Sequence, residues 1–375
     1  MAGIYIHIPF CKQACFYCNF HFSTSLQYTN EFVDSLLKEI DLKSPELNKE
    51  SFKTLYFGGG TPSILNSHQF EKIVLQLSNH IDLKNIEEFT IEVNPDDMNE
   101  DKLKFWKEIG VNRLSIGTQS FRDEDLQLMN RAHSAQEAYQ SIQLAQSIGF
   151  HNISIDLIYG IPGLSKESWL DNLNKAIKLQ IPHISSYCLT VEEKTALAHL
   201  IKESKLNEPD EELASEQFIM MIEHLQNHQI EQYEISNFAK AGYESKHNSS
   251  YWSGEKYIGL GPGAHSFDGN NRTWNISNNQ AYFKALKQGE LPQETELLSL
   301  ENRYNEFIMT SLRTREGIEK EKMRTLFNNQ FLHQFHQGIE KWLSMGKLIE
   351  TETHYLLSKE ARFFADGIAS DLFVS

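Results

Sequence analysis

The chain is expected to fold as an α/β protein: an open, partial (βα)6 TIM-like barrel followed by a small α+β domain of winged-helix-like form. Three observations predict this. Short β-type runs alternate with amphipathic helical patterns through the first ~230 residues. Loop-forming and chemistry-bearing residues follow directly after each run. Near the end, the pattern turns mainly helical and closes on a hairpin.

The strand-like runs are Gly3–Ile8, Lys53–Phe57, Glu88–Val93, Arg113–Ile116, Asn152–Leu157 and His183–Tyr187. Between them, Tyr28–Leu42, His68–Ile81, Asp101–Ile109, Ser134–Ile148 and Lys166–Leu179 repeat apolar residues at three- and four-residue spacing, the period of a helix with one buried face. Repeated βα units imply parallel strands joined by right-handed crossovers. Six are too few for a closed eight-stranded barrel. A further helix, Asp210–Asn227, ends this first region. The expected division is residues 1–230 as the partial barrel, 231–278 as an aromatic, Asn/Ser/Gly-rich barrel-closing region, and 279–375 as the C-terminal domain, ending in Leu348–Glu350, a turn and Tyr355–Ser358.

Composition narrows the function. A net charge of −16 and a pI near 5.4 oppose a general nucleic-acid binder, which needs a basic face, and oppose adhesion to an anionic membrane. No window reaches the ~20 apolar residues of a membrane span. The start MAGIYIHIPF lacks the basic n-region of a secretion signal, so a cytoplasmic location is expected. Of four cysteines, Cys11, Cys15 and Cys18 are clustered, which in a reducing compartment reads as a metal or redox site.

Their spacing is C-x3-C-x2-C, just after the first strand. Three thiolates can ligate three irons of a [4Fe–4S] cube and leave the fourth iron open to a substrate. The same spacing is compatible with structural zinc, completed by Cys188, His7 or His21, and less so with a disulfide and a spare thiol. A second loop, Gly58-Gly59-Gly60-Thr61-Pro62-Ser63, follows the second strand at the same face. Its glycines let backbone groups approach a ligand closely, although a tight turn alone would also use them.

Together, Cys11–Cys18, the lead-in Tyr5-Ile6-His7-Ile8-Pro9-Phe10 and the GGGTP loop resemble the radical S-adenosylmethionine (SAM) enzymes. Among these the chain is similar to oxygen-independent coproporphyrinogen III dehydrogenases and their chaperone-like relatives over nearly its whole length. The resemblance implies a [4Fe–4S] cluster on Cys11, Cys15 and Cys18, with SAM chelating the open iron and being cleaved to a 5′-deoxyadenosyl radical. It implies that Tyr5 and Tyr17 pack around SAM and that Gly59, Gly60 and Thr61 accept its amino group. It also makes Glu92 in Ile91-Glu92-Val93-Asn94-Pro95 a SAM-binding carboxylate, and adds Gln119, Arg131 and Asp156 to the set. These types suit the task, since carboxylates can hold an amine and ribose hydroxyls and an arginine fork can hold a carboxylate. Taken singly, Glu92 and Asp156 are more often cap or ion-pair residues, and Arg131 a surface charge; recurrence at predicted strand ends turns the balance.

Two branches of that family remain to be separated. The dehydrogenase branch carries a fourth cysteine two residues after the third, where this chain has Phe20, and an extension before the first strand. The segment His247-Asn248-Ser249-Ser250-Tyr251-Trp252 matches the HNxxYW motif of the chaperone-like, HemW-type branch, as does Tyr233-Glu234-Ile235-Ser236-Asn237-Phe238. That branch implies a haem chaperone without coproporphyrinogen oxidase activity. It would pass haem to haem-dependent respiratory membrane proteins, with peripheral contact at the membrane during delivery, and would need an electron donor for its cluster; a homodimer is left open. His247 and His265 are both candidate haem ligands, with His265, in the loop Gly259–Ser266, alternatively facing SAM. A true radical SAM enzyme acting on a porphyrinogen is the competing expectation, and a zinc-bound nucleic-acid module a distant third. In Arg313-Thr314-Arg315-Glu316-Gly317 the arginines are expected to brace the domain interface rather than to hold haem propionates.

Overall fold

The computed structural model describes residues 2–374. Six strands run parallel and in sequence order: β1 (Ala2–Ile8), β2 (Phe52–Gly59), β3 (Glu88–Val93), β4 (Arg113–Gln119), β5 (Ile153–Tyr159) and β6 (His183–Cys188). Their residues are buried almost throughout, because helices cover one face and the barrel interior the other. The helix Thr29–Leu42 shows how this is achieved. Phe32, Val33, Leu36 and Ile40 fall on one stripe and are fully buried, each contributing roughly 2 kcal/mol of apolar burial; Leu36→Asp would break that contact. Helix starts are fixed by side chains that accept orphaned N–H groups. Asn66 with Gln69 and Ser134 with Glu137 form reciprocal capping boxes.

The segment after residue 230 adds strands to both edges of this sheet. β7 (Glu231–Glu234) and β8 (Asn237–Ala239) form an antiparallel pair on β6. On the far side, β9 (Tyr257–Leu260) lies parallel to β1, and β10 (His265–Phe267), β11 (Asn271–Asn275) and β12 (Gln293–Leu297) follow antiparallel. The result is a twelve-stranded open sheet in the order β12-β11-β10-β9-β1-β2-β3-β4-β5-β6-β8-β7. The stretch expected as one closing region is thus shared between two edges, and its helix Lys246–Ser253 crosses the amino ends of the strands. Glu88, the first residue of β3, accepts from the backbone N–H groups of Lys246 and His247 at 2.8 and 2.9 Å, placing a carboxylate at the positive end of that helix.

A buried carboxylate anchors the β9–β11 edge. Glu39 is fully buried and accepts from Gly261 N (2.8 Å), Asn275 Nδ2 (2.5 Å) and Tyr282 OH (2.6 Å). The helix Asn279–Lys287 buries Tyr282, Phe283 and Leu286 in the barrel core. Beyond it a second core forms, with Tyr304, Ile308 and Leu312 from the helix Leu300–Leu312 packed against Phe331, Phe335 and Ile339 from Asn329–Ser344. A small sheet flanks this core, in which β13 (Ile318–Glu319) and β14 (Leu348–Glu350) sit on either side of β15 (His354–Leu357). This is the expected small α+β C-terminal domain. Arg313 braces it: its guanidinium lies 2.9 Å from Asp366 and 3.7 Å from Glu234 of β7, and 5.0 Å from the Trp252 ring centroid.

Candidate cofactor site at the carboxyl ends of the strands

The cysteine loop follows β1 and is held by contacts from neighbouring loops. Cys11 N donates to Ser23 O at 3.0 Å and Ser23 N to Pro9 O at 2.9 Å, closing its base. Gln13 donates to Asn130 O and Oδ1, both at 2.9 Å, and Asn130 Nδ2 returns a bond to Ala14 O at 2.8 Å. Lys12 pairs with Asp96 and Asp97. All three cysteines are free and half-buried. Burial pushes the Cys11 thiol up to about 11 and raises that of Cys18, so loading with iron would release protons near neutral pH. Among the described residues no three His, Cys, Asp or Glu side chains converge on a single-ion site. A tetrahedral zinc would hold its thiolates roughly 4 Å apart, whereas ligands to different irons of a cube stand further apart.

The glycine loop faces the cysteines. A Cβ on Gly60 would lie 2.6 Å from Phe10 O, and Gly59 combines a φ of +111° with a neighbouring His7 ring that a Cβ would meet at 2.5 Å. Only glycine fits at these two positions. Thr61 Oγ1 donates to Cys11 Sγ at 3.5 Å and accepts from Asn94 Nδ2 at 3.3 Å. Arg131 Nη1 donates to Cys15 Sγ at 3.2 Å, while its Nη2 donates to Asn94 Oδ1 (2.8 Å) and Gly117 O (2.9 Å).

Two carboxylates lie deeper. Glu92 accepts from Tyr56 OH at 2.8 Å and Gly59 N at 3.0 Å, yet burial and the nearby Asp156 raise it to about 7. Asp156, on β5, is pushed by burial to about 6 despite Arg113 and the hydroxyls of Ser185 and Ser115. Carboxyls held near neutrality in a cavity are prepared for a cationic partner. Gln119, at the end of β4, has a φ of 57° and a buried Oε1 with no partner; Arg131 Nε is likewise buried and unpartnered. Both residues line the cavity, so a polar ligand bound there with a small local rearrangement could supply the missing bonds.

Tyr5, Tyr17, Gly59, Gly60, Thr61, Glu92, Gln119, Arg131, Asp156 and His265 line one cavity of about 2040 Å³ together with Cys11, Cys15 and Cys18. Three thiols around one loop, a glycine cradle, raised carboxylates and an arginine are a donor set that fits a [4Fe–4S] cluster with bound SAM. His247 does not join them. It is 1% exposed, its Nδ1 lies 2.8 Å from Thr54 Oγ1 and its Nε2 2.8 Å from Tyr251 OH, so both ring nitrogens are engaged at the amino ends of the strands. Burial and these two bonds occupy the ring in this arrangement, and burial lowers its pKa to about 3. Its ring stacks on Tyr56 at 4.9 Å, and Tyr56 in turn bonds Glu92, so it supports the site from below. Asn94 and Tyr56 were not singled out from the sequence, although Asn94 follows Glu92 at the strand end, where loop chemistry is expected.

Residues 5–176 match the Radical SAM superfamily and residues 298–364 the HemN C-terminal domain. The Heme chaperone HemW of Bacillus subtilis (strain 168) is 34% identical over 371 residues, covering 98% of each chain. That of Lactococcus lactis subsp. lactis (strain IL1403) is 33% identical over 344 residues, covering 92% of this chain and 90% of its own. The solved structure of coproporphyrinogen III oxidase (HemN) from Escherichia coli, a radical SAM enzyme, superposes with a TM-score of 0.86 at 22% identity, covering 100% of this chain and 90% of that one, a likeness of fold. The chain belongs to the HemW family within the radical SAM superfamily.

Proposed function

We propose that this protein is a haem chaperone that carries a [4Fe–4S] cluster on Cys11, Cys15 and Cys18, binds SAM in the adjoining cavity and passes haem to haem-dependent respiratory membrane proteins. The observation that carries this reading is the end-to-end correspondence with relatives described as heme chaperones, 98% of both chains for the Bacillus protein. Phe20 supports it: the side chain is 71% exposed at the cavity, at the position where the dehydrogenase branch is expected to have a further cysteine.

In this reading Glu92 and Asp156 hold the cationic and hydroxyl groups of SAM, Gly59, Gly60 and Thr61 supply close backbone and hydroxyl contacts, and Arg131 takes a carboxylate while steadying Cys15. Tyr5 and Tyr17 wall the site. A bound, reduced cluster supplies the electron for cleaving SAM, and an electron-donor protein must deliver it. His265, exposed in the same cavity, is the accessible imidazole for haem iron. Among the described residues no helix is long and apolar enough to cross a membrane; in this reading delivery to membrane proteins is by peripheral contact. A homodimer is compatible with this role.

The competing reading, a radical SAM enzyme acting on a porphyrinogen, is favoured by the completeness of the SAM-facing set. Anaerobic reconstitution followed by haem titration, with iron and 5′-deoxyadenosine counted, separates the two. A stoichiometric Soret band without coproporphyrinogen turnover supports the chaperone. Turnover with matching 5′-deoxyadenosine and little haem binding would make the protein a dehydrogenase.

A further inference from the structure

The helix Leu300–Leu312 has two working faces. Tyr304, Ile308 and Leu312 bury into the C-terminal core, whereas Arg303, Phe307 and Thr310, at the complementary spacing, line the cavity that begins at the cysteine loop. Cations gather along this wall. Arg272 is paired with Glu306 at 2.8 Å and Arg313 with Asp366 at 2.9 Å. Arg303 and Lys322 line the cavity and have no carboxylate partner among the described residues. Lys322 Nζ stands 6.0 Å from the Phe307 ring centroid, and Arg303 lies one helical turn before Phe307 and lines the same cavity. Acidic residues outnumber basic ones by 51 to 35, so surplus carboxylates were available to neutralise these two cations.

We propose that this wall of the C-terminal domain is the docking surface for the tetrapyrrole, with Arg303 and Lys322 each pairing one of its two carboxylate arms and Phe307 packed against the ring. The proposal rests on the haem-carrier reading and deepens it. The ligand is a planar, apolar dianion: charge complementarity selects the two acid arms, and the aromatic on the same wall selects the ring. A guanidinium fork grips a carboxylate bidentately and an ammonium acts as a point charge, so Arg303 is expected to contribute more than Lys322. The contact does not depend on iron, and a metal-free porphyrin should therefore bind there too.

The test uses the full-length, anaerobically reconstituted protein, titrated by fluorescence with protoporphyrin IX and with its uncharged dimethyl ester. Wild type should prefer the free acid, with affinity falling as salt rises. The double variant Arg303→Glu/Lys322→Glu should bind the free acid at least about tenfold more weakly while its ester binding holds. Both positions are exposed, and unchanged cluster absorbance and thermal midpoint would verify folding. Equal binding of the free acid by wild type and the double variant would overturn this site while leaving the carrier reading standing. Equal loss of acid and ester would overturn the charge pairing. Wild type that binds neither porphyrin nor haem would defeat the carrier reading and this inference together.

Discussion

The two ends of the barrel carry similar residue types and differ in how they are satisfied. At the amino end, His247 and His183 are buried with both ring nitrogens engaged, His183 to Ser154 Oγ (2.7 Å) and Tyr233 OH (2.8 Å). At the carboxyl end, Glu92 and Asp156 are pushed towards neutrality and Gln119 and Arg131 hold unpartnered buried atoms beside an open cavity. The first arrangement stabilises the fold; the second holds unmet polar demand for a ligand to meet. Residue type alone does not distinguish them, and the HNxxYW motif illustrates the point, since its histidine belongs to the satisfied end.

The carboxyl end depends most on its cysteines. Cys15→Ala should abolish cluster assembly, with iron content and the charge-transfer absorbance falling to background, while apo-protein stability changes by less than about 1 kcal/mol. Retained stoichiometric iron would show that the thiol is not a ligand.

Next in size is the satisfied amino end. His247→Ala removes a buried, doubly bonded ring and should cost about 3 kcal/mol in urea unfolding. The pH dependence has a definite sign. His247 is depressed to about 3, below its unfolded value near 6.5, so its contribution is present above pH ~6.5 and is lost as pH falls towards 3. Wild type should therefore weaken across that window more steeply than His247→Ala; parallel profiles would show that the His247 ring does not stabilise the amino end.

Glu92 has the opposite sign. Its folded value of about 7 exceeds the usual 4.5, so the native state is penalised as pH rises from 4.5 through 7. Glu92→Gln, whose single amide oxygen can keep accepting from Gly59 N while its NH2 donates to the Tyr56 hydroxyl oxygen, should gain roughly 1–3 kcal/mol of ligand-free stability at pH 8 and lose SAM affinity. A loss of stability at pH 8 would assign Glu92 to structure instead. The smallest effect is expected at Gln119→Leu, within about 1 kcal/mol in ligand-free stability because it removes an unpartnered buried oxygen, with weaker SAM binding in equilibrium dialysis.

Much of this was legible in the sequence where the signal is local. The third strand runs over Glu88–Val93 as periodicity predicts, and Cys11, Cys15 and Cys18, the glycine loop, Glu92 near the end of β3 and Asp156 midway along β5 line one cavity. What escaped was short or long-range. β7 to β12 span three to five residues each, and β12, Gln293–Leu297, is exposed along its whole length, so neither alternation nor burial marks it. Tyr56 was read only as part of an apolar strand, because its hydroxyl finds a purpose only when β3 brings Glu92 beside it. His247 was read by motif, and a motif gives no information about which end of a barrel a crossing helix covers.

The central claim is that the carboxyl-end cavity holds a cluster whose open iron takes SAM. Electron paramagnetic resonance of the reduced, reconstituted protein with and without SAM tests it directly. SAM should change the cluster signal in wild type, and do so much less in Glu92→Gln. A cluster signal identical with and without SAM in wild type, or no cluster at all, would contradict the account.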